Sequence, residues 1–216
     1  MLGSNKPLNF VQGLETGQHV VLFYEDKKYA ERIQFKFLNE GLQKGESCVI
    51  TTHRSVESLR TRMTREGVEV EHYAKDGLLH VMKIQDPMTH PRGVSRGVTE
   101  VYDQIFSVLE EPFRIVSTTF KDIGASEVYR REIQLERKAQ KTLDGGDPDT
   151  KRKVFHDMEG IVMCTYQVNE FPEGNTRWLP TLSSAHHAAI FAPRKKEGFA
   201  MMMRPVGGEK AARVAG

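Results

Sequence analysis

Short apolar runs alternate with longer amphipathic stretches along most of this chain, and that alternation restricts its fold more than any other feature. His19–Tyr24 (HVVLFY) is apolar on both faces, the pattern of a strand covered on two sides. Asp26 is placed to cap a helix running to about residue 43. Within it Ile33, Phe37, Leu38 and Leu42 recur at three- and four-residue spacing, and Gly45 supplies a stop. Strand Ser47–Thr52 follows, then a short helix from Ser55 that sets Val56, Leu59 and Met63 on one face before Gly67. Leu78–Ile84 reads as a strand. Residues 93–110 read as a helix with Val94, Val98, Val101, Ile105 and Leu109 in phase, and Phe113–Phe120 as a further strand. Residues 125–143 predict a charged helix, with Glu127 and Arg131 four apart, which Gly145, Gly146 and Pro148 break. Gly160–Tyr166 is a fifth strand. Ala188–Ala192 and Phe199–Met203, separated by PRKKEG, predict a closing antiparallel hairpin.

Strand and helix in strict succession predict an α/β fold of three layers. A mostly parallel sheet carries helices on both faces and ends in an antiparallel hairpin. The chain divides into a lead-in over 1–16, one domain over 17–206 and a disordered tail over 207–216. Ligands of such sheets gather at the carboxyl ends of the strands.

Composition narrows the function. The 31 basic and 29 acidic residues nearly cancel, which argues against a nucleic-acid partner, since such a surface carries a marked basic excess. Two cysteines, Cys48 and Cys164, sit inside apolar runs, as buried thiols do in a reducing compartment. No signal peptide is read at the N-terminus, and no apolar run approaches the ~20 residues of a membrane span. A cytoplasmic location and no membrane partner are expected.

The turn after the first strand is where a mononucleotide-binding fold carries its glycine-rich loop, because backbone N–H groups must converge there on phosphate. Here it reads Phe23-Tyr24-Glu25-Asp26-Lys27-Lys28-Tyr29, and no glycine lies between Gly17 and Gly41. Glu25 and Asp26 bring negative charge to that point. Phosphate binding in the P-loop manner is excluded on these grounds. Asp122, just past the fourth strand, reads as a turn residue rather than a magnesium ligand.

The stretch HVVLFYEDKKYAERIQFKFLNEGLQKGESCVITT resembles the opening of the MEDS domain, the methanogen/methylotroph sensory domain named after the DcmR regulator. The resemblance lies in a His-led strand ending in Phe-Tyr, a helix ending in Phe-Leu-x-x-Gly-Leu-x-x-Gly-Glu, and a second strand. GIVMCTYQVNEFP, with His186-His187 and AAIFAP downstream, resembles the closing segment of that family. The same opening is similar to RecA/KaiC-like ATPases, so the resemblance implies a RecA-like, Rossmann-like fold without its P-loop. It further implies a non-catalytic sensory module for a small organic ligand, and it carries His19, Tyr24, Cys164, Tyr166 and His186 over as ligand-binding positions.

Beside that implication stand the plainer readings. Tyr24 and Tyr166 end two strands of the sheet and would line a ligand crevice, or would act as wedges between helix and sheet. Cys164 with His186 and His187 lacks the spacing of a zinc set, so no metal or other cofactor is expected. Adjacent residues on an extended chain point oppositely, so one histidine of the pair faces any given pocket. Met201-Met202-Met203 packs under a sheet edge or forms a contact surface. No output segment is recognisable in the sequence, so signalling would pass through a regulatory protein partner or a homo-oligomer. Two alternatives stay open: a RecA/KaiC-like assembly or degenerate nucleotide-binding protein, and a Cys/His-dependent hydrolase.

Overall fold

A computed structural model describes residues 6–117, 159–168, 178–184, 186–193 and 198–203. The helix expected over 125–143, the loop at 145–150 and the tail from 207 lie outside these residues. Among the described residues seven strands form one sheet: β1 (Gln18–Tyr24), β2 (Ser47–Thr52), β3 (Leu79–Lys83), β4 (Phe113–Ser117), β5 (Gly160–Gln167), β6 (Ala188–Ala192) and β7 (Phe199–Met202). Their spatial order is β3-β2-β4-β5-β1-β6-β7. Every neighbouring pair is parallel except β6 and β7, which are antiparallel. The α/β reading, the mostly parallel sheet and the closing hairpin are all present.

Helices cover both faces. On one side α2 (Lys27–Leu42), α3 (Val56–Arg65) and α4 (Val70–Lys75) bury Ile33, Phe37, Leu38, Leu59, Met63 and Val70 against Val20, Leu22, Ile50, Val116 and Met163. On the other side α5 (Val94–Phe106) and α6 (Trp178–Ser184) bury Val101, Ile105 and Leu182 against Val21, Phe23, Ile115, Val162 and Cys164. Successive side chains of each strand therefore serve different cores, as the period of two requires.

Three elements were not visible as such in the sequence. The lead-in is ordered from α1 (Pro7–Phe10), and Val11 and Leu14 enter the core. Helix α4 follows Gly67 without a side-chain cap. Helix α6 lies in a segment whose Pro and Gly content reads as loop.

One buried ion pair joins three of these elements. Arg114, on β4 and 1% exposed, points beneath α2. Its Nε donates to Glu46 Oε2 at 2.6 Å and its Nη1 to the Phe37 carbonyl at 2.9 Å. The guanidinium also lies over the Phe37 ring, 4.9 Å from its centre. Gly41 makes room for it: a Cβ there would fall 2.7 Å from Arg114 Cδ and 2.9 Å from Glu46 Oε2. The Phe-Leu-x-x-Gly-Leu-x-x-Gly-Glu pattern is thus the cradle of a buried cation, with Phe37, Gly41 and Glu46 each in contact with Arg114.

Removing one partner of such a pair strands a charge in the core. Arg114→Ala is expected to cost about 3–5 kcal/mol, read as a lowered urea midpoint at unchanged slope. Gly41→Ala is expected to lower the midpoint as well, through the clash alone.

Cys48 faces the same core as Arg114, and burial pushes its thiol up to about 12. Above the ordinary thiol value, 9.0, the unfolded chain loses this proton while the folded chain keeps it. The Cys48 contribution is therefore constant below about pH 9. It then falls by up to about 1.4 kcal/mol per pH unit as pH rises toward 12. Urea melts at pH 8 and pH 10 are expected to show that loss, and Cys48→Ala to reduce it.

Candidate functional site

Three residues far apart in sequence meet in the core beneath α6. His19 is the second residue of β1, Cys164 lies in the middle of β5, and His186 precedes β6. Strand β1 runs between β5 and β6, with Val21 opposite Cys164 and Val20 opposite Ala188. The register brings the His19 ring to Cys164, with Nε2 3.1 Å from Sγ. The His186 ring lies over that of His19, centres 4.0 Å apart and planes inclined by 42°. One ligand atom from each of the three falls within 4.8 Å of the others. All three residues are buried, none more than 5% exposed.

Backbone hydrogen bonds fix the arrangement. His186 Nδ1 lies 2.6 Å from the Leu182 carbonyl of α6. A carbonyl only accepts, so this nitrogen carries the proton and Nε2 keeps a lone pair. His187 turns elsewhere: its Nδ1 accepts from the His19 backbone N–H at 2.9 Å, and its own N–H donates to the His19 carbonyl at 2.8 Å. One histidine of the pair thus joins the cluster while the other secures the strand that carries it.

Tyr166 lies two residues beyond Cys164 on the same face of β5, about 7 Å further along the strand. Its ring neighbours Phe23 at 6.0 Å. Phe23 stacks on Phe191 at 5.2 Å, and Phe191 on Phe199 at 4.7 Å, an aromatic row across β5, β1, β6 and β7. Tyr24 belongs to the other face, against the core under α2. The two tyrosines end adjacent parallel strands, but Tyr166 is opposite Phe23 and Tyr24 opposite Gln167. They do not line one crevice. His19, Cys164, Tyr166 and His186 share a face; Tyr24 does not.

At the carboxyl edge of β1, Asp26 occupies the N-terminus of α2. Its Oδ1 accepts from the Lys28 N–H at 2.9 Å and the Tyr29 N–H at 3.2 Å. These are donors that a phosphate would need, and a carboxylate already holds them. Asp26→Ala is expected to lower stability by about 1 kcal/mol in urea unfolding, the ordinary cost of a lost cap.

Sequence spacing sets Cys164 beside His186 and His187, whereas the fold sets it beside His19 and His186. No spacing rule joins residues 145 positions apart. The signal was a polar side chain leading an otherwise apolar strand, which places it inside the sheet where it needs a partner. His53 and His90 stand apart from this cluster: His90 Nε2 pairs with Glu100 at 3.0 Å, beside Arg92 and Arg96. Among the described residues no helix is long and apolar enough to cross a membrane.

Residues 18–119, just under half of the chain, match the family model described as MEDS, the MEthanogen/methylotroph, DcmR Sensory domain. Among solved structures, the chain is similar to a KaiC-like protein from the hyperthermophilic archaeon Pyrococcus horikoshii OT3. The TM-score is 0.54 at 16% identity, over 88% of this chain and 79% of that one. At that identity the likeness is one of fold, and the fold is RecA-like. No curated protein matches the sequence.

Proposed function

We propose, on the premise that residues 18–119 carry the MEDS sensory domain, that this protein is a sensory or regulatory module. It binds a small organic ligand on the sheet face shared by His19, Cys164, Tyr166 and His186. The observation that carries the reading is that one face gathers these polar and aromatic groups beside a row of aromatic rings. Such a mixture of apolar wall and few polar handles suits a small molecule. The capped N-terminus of α2 counts against nucleotide as that ligand.

Output passes through a partner or through self-association. Strand β7 ends the sheet, and its Phe199, Met201 and Met202 are about half exposed, with Met203 beside them. An apolar edge of this kind suits docking onto another chain. Ligand binding acts by population shift: at a hundred times its dissociation constant a ligand stabilises its preferred state by about 2.7 kcal/mol.

The Cys/His hydrolase reading gains one observation, the 3.1 Å approach of His19 Nε2 to Cys164 Sγ. The matched family model is that of a sensory domain, however, and the approach of a thiol to an imidazole does not by itself make a nucleophile. The sensory reading is the stronger.

Native mass spectrometry of gently purified protein tests it. A discrete bound mass is expected, with affinity reduced at least about tenfold by Tyr166→Ala and unchanged by Tyr24→Ala on the opposite face. Equal losses in both variants, or none in either, would refute this site.

A further inference from the structure

We infer that His19, Cys164 and His186 form a binding site for a zinc ion, with His19 Nε2, Cys164 Sγ and His186 Nε2 as donors. Among the described residues this is the group of side chains close enough together to hold a metal. The inference stands on the trio itself; it rests on the sensory reading only for the purpose the ion would serve.

Donor chemistry selects the ion. Two imidazoles and one thiol suit a borderline-soft d10 cation, whereas calcium and magnesium require oxygen. Tetrahedral zinc holds sulfur at about 2.3 Å and nitrogen at about 2.0–2.1 Å, so its ligand atoms lie about 3.4–3.6 Å from one another. His19 and Cys164 already stand at 3.1 Å. One ligand atom from each of the three residues falls within 4.8 Å of the others, so the widest gap would have to close by at most about 1.2–1.4 Å.

The surroundings of His186 are those of a metal ligand. A ligating histidine donates its other ring N–H to a carbonyl or carboxylate, which sets the tautomer and aims the lone pair. His186 Nδ1–H does this with Leu182 O at 2.6 Å. Helix α6 thereby positions a donor nitrogen over the His19–Cys164 pair.

Binding replaces the thiol proton: the Cys164 S–H bond breaks, an S–Zn bond forms, and one proton leaves to solvent without any change of oxidation state. Affinity therefore weakens as pH falls. Three protein donors leave a tetrahedral ion one position for an outside ligand, and one thiolate leaves the ion with net positive charge. A ligand with a lone pair is the class such a position takes. That would give the sensory site its selectivity.

The test uses the full chain, stripped with chelator and titrated with cobalt(II), then with zinc(II). One equivalent of cobalt is expected to give a thiolate-to-cobalt charge-transfer band and tetrahedral d–d absorption, both discharged by zinc. Cys48, the only other thiol, faces the opposite core, so the band reports Cys164. Cys164→Ala should abolish the band, and Cys48→Ala should preserve it. His19→Gln and His186→Gln should each weaken cobalt binding more than about tenfold, whereas the exposed His72→Gln should not. Absence of the band in the unmodified protein, or its survival in Cys164→Ala, overturns the inference whatever the variants' stability. A protein that takes up an organic ligand but no cobalt retains the sensory reading and loses the metal; the converse result does the reverse.

Discussion

The fold is organised around a cation that has no access to water. Arg114 is 1% exposed on a central strand, and its charge is tolerated because Glu46, the Phe37 carbonyl and the Phe37 ring all attend to it. An uncompensated charge at that depth would cost several kcal/mol, so each of these groups must be in place together. The requirement ties β4, the middle of α2 and the turn before β2 into one unit. It explains why the buried face of α2, otherwise lined by Tyr29, Ile33, Phe37, Leu38 and Leu42, carries glycine at position 41.

The apolar period of α2 is plain in the sequence, and so are all five parallel strands from β1 to β5 and the closing hairpin. The motif at the end of α2 was legible as a pattern, while its reason was not. Arg114 in FRIVS looks like a polar interruption of a strand, and nothing local says that its partner is 68 residues earlier. Helix α6 is not legible for a different cause: seven residues beginning at Trp178 include a proline, and so short a segment offers too little periodicity.

The candidate site repeats the lesson more sharply. The family resemblance marks His19, Cys164 and His186 one by one, yet their meeting depends on β1 standing between β5 and β6. Strand order is a property of the whole sheet. The tyrosines illustrate the same limit: both end adjacent parallel strands, and a one-residue difference in register sends them to opposite faces. Sequence period fixes which residues of one strand share a face. It does not fix which face a neighbour chooses.

Because β1 is flanked by the two last-made parallel strands, its core-facing histidine has partners only after nearly the whole chain has been synthesised. A polypeptide ending at residue 119 would keep the entire family-matching segment and lack two members of the trio. Contacts of such long range close late and slowly in folding. The trio therefore doubles as a certificate of completion: a chain that has formed it has also threaded its first strand correctly between its fifth and its sixth.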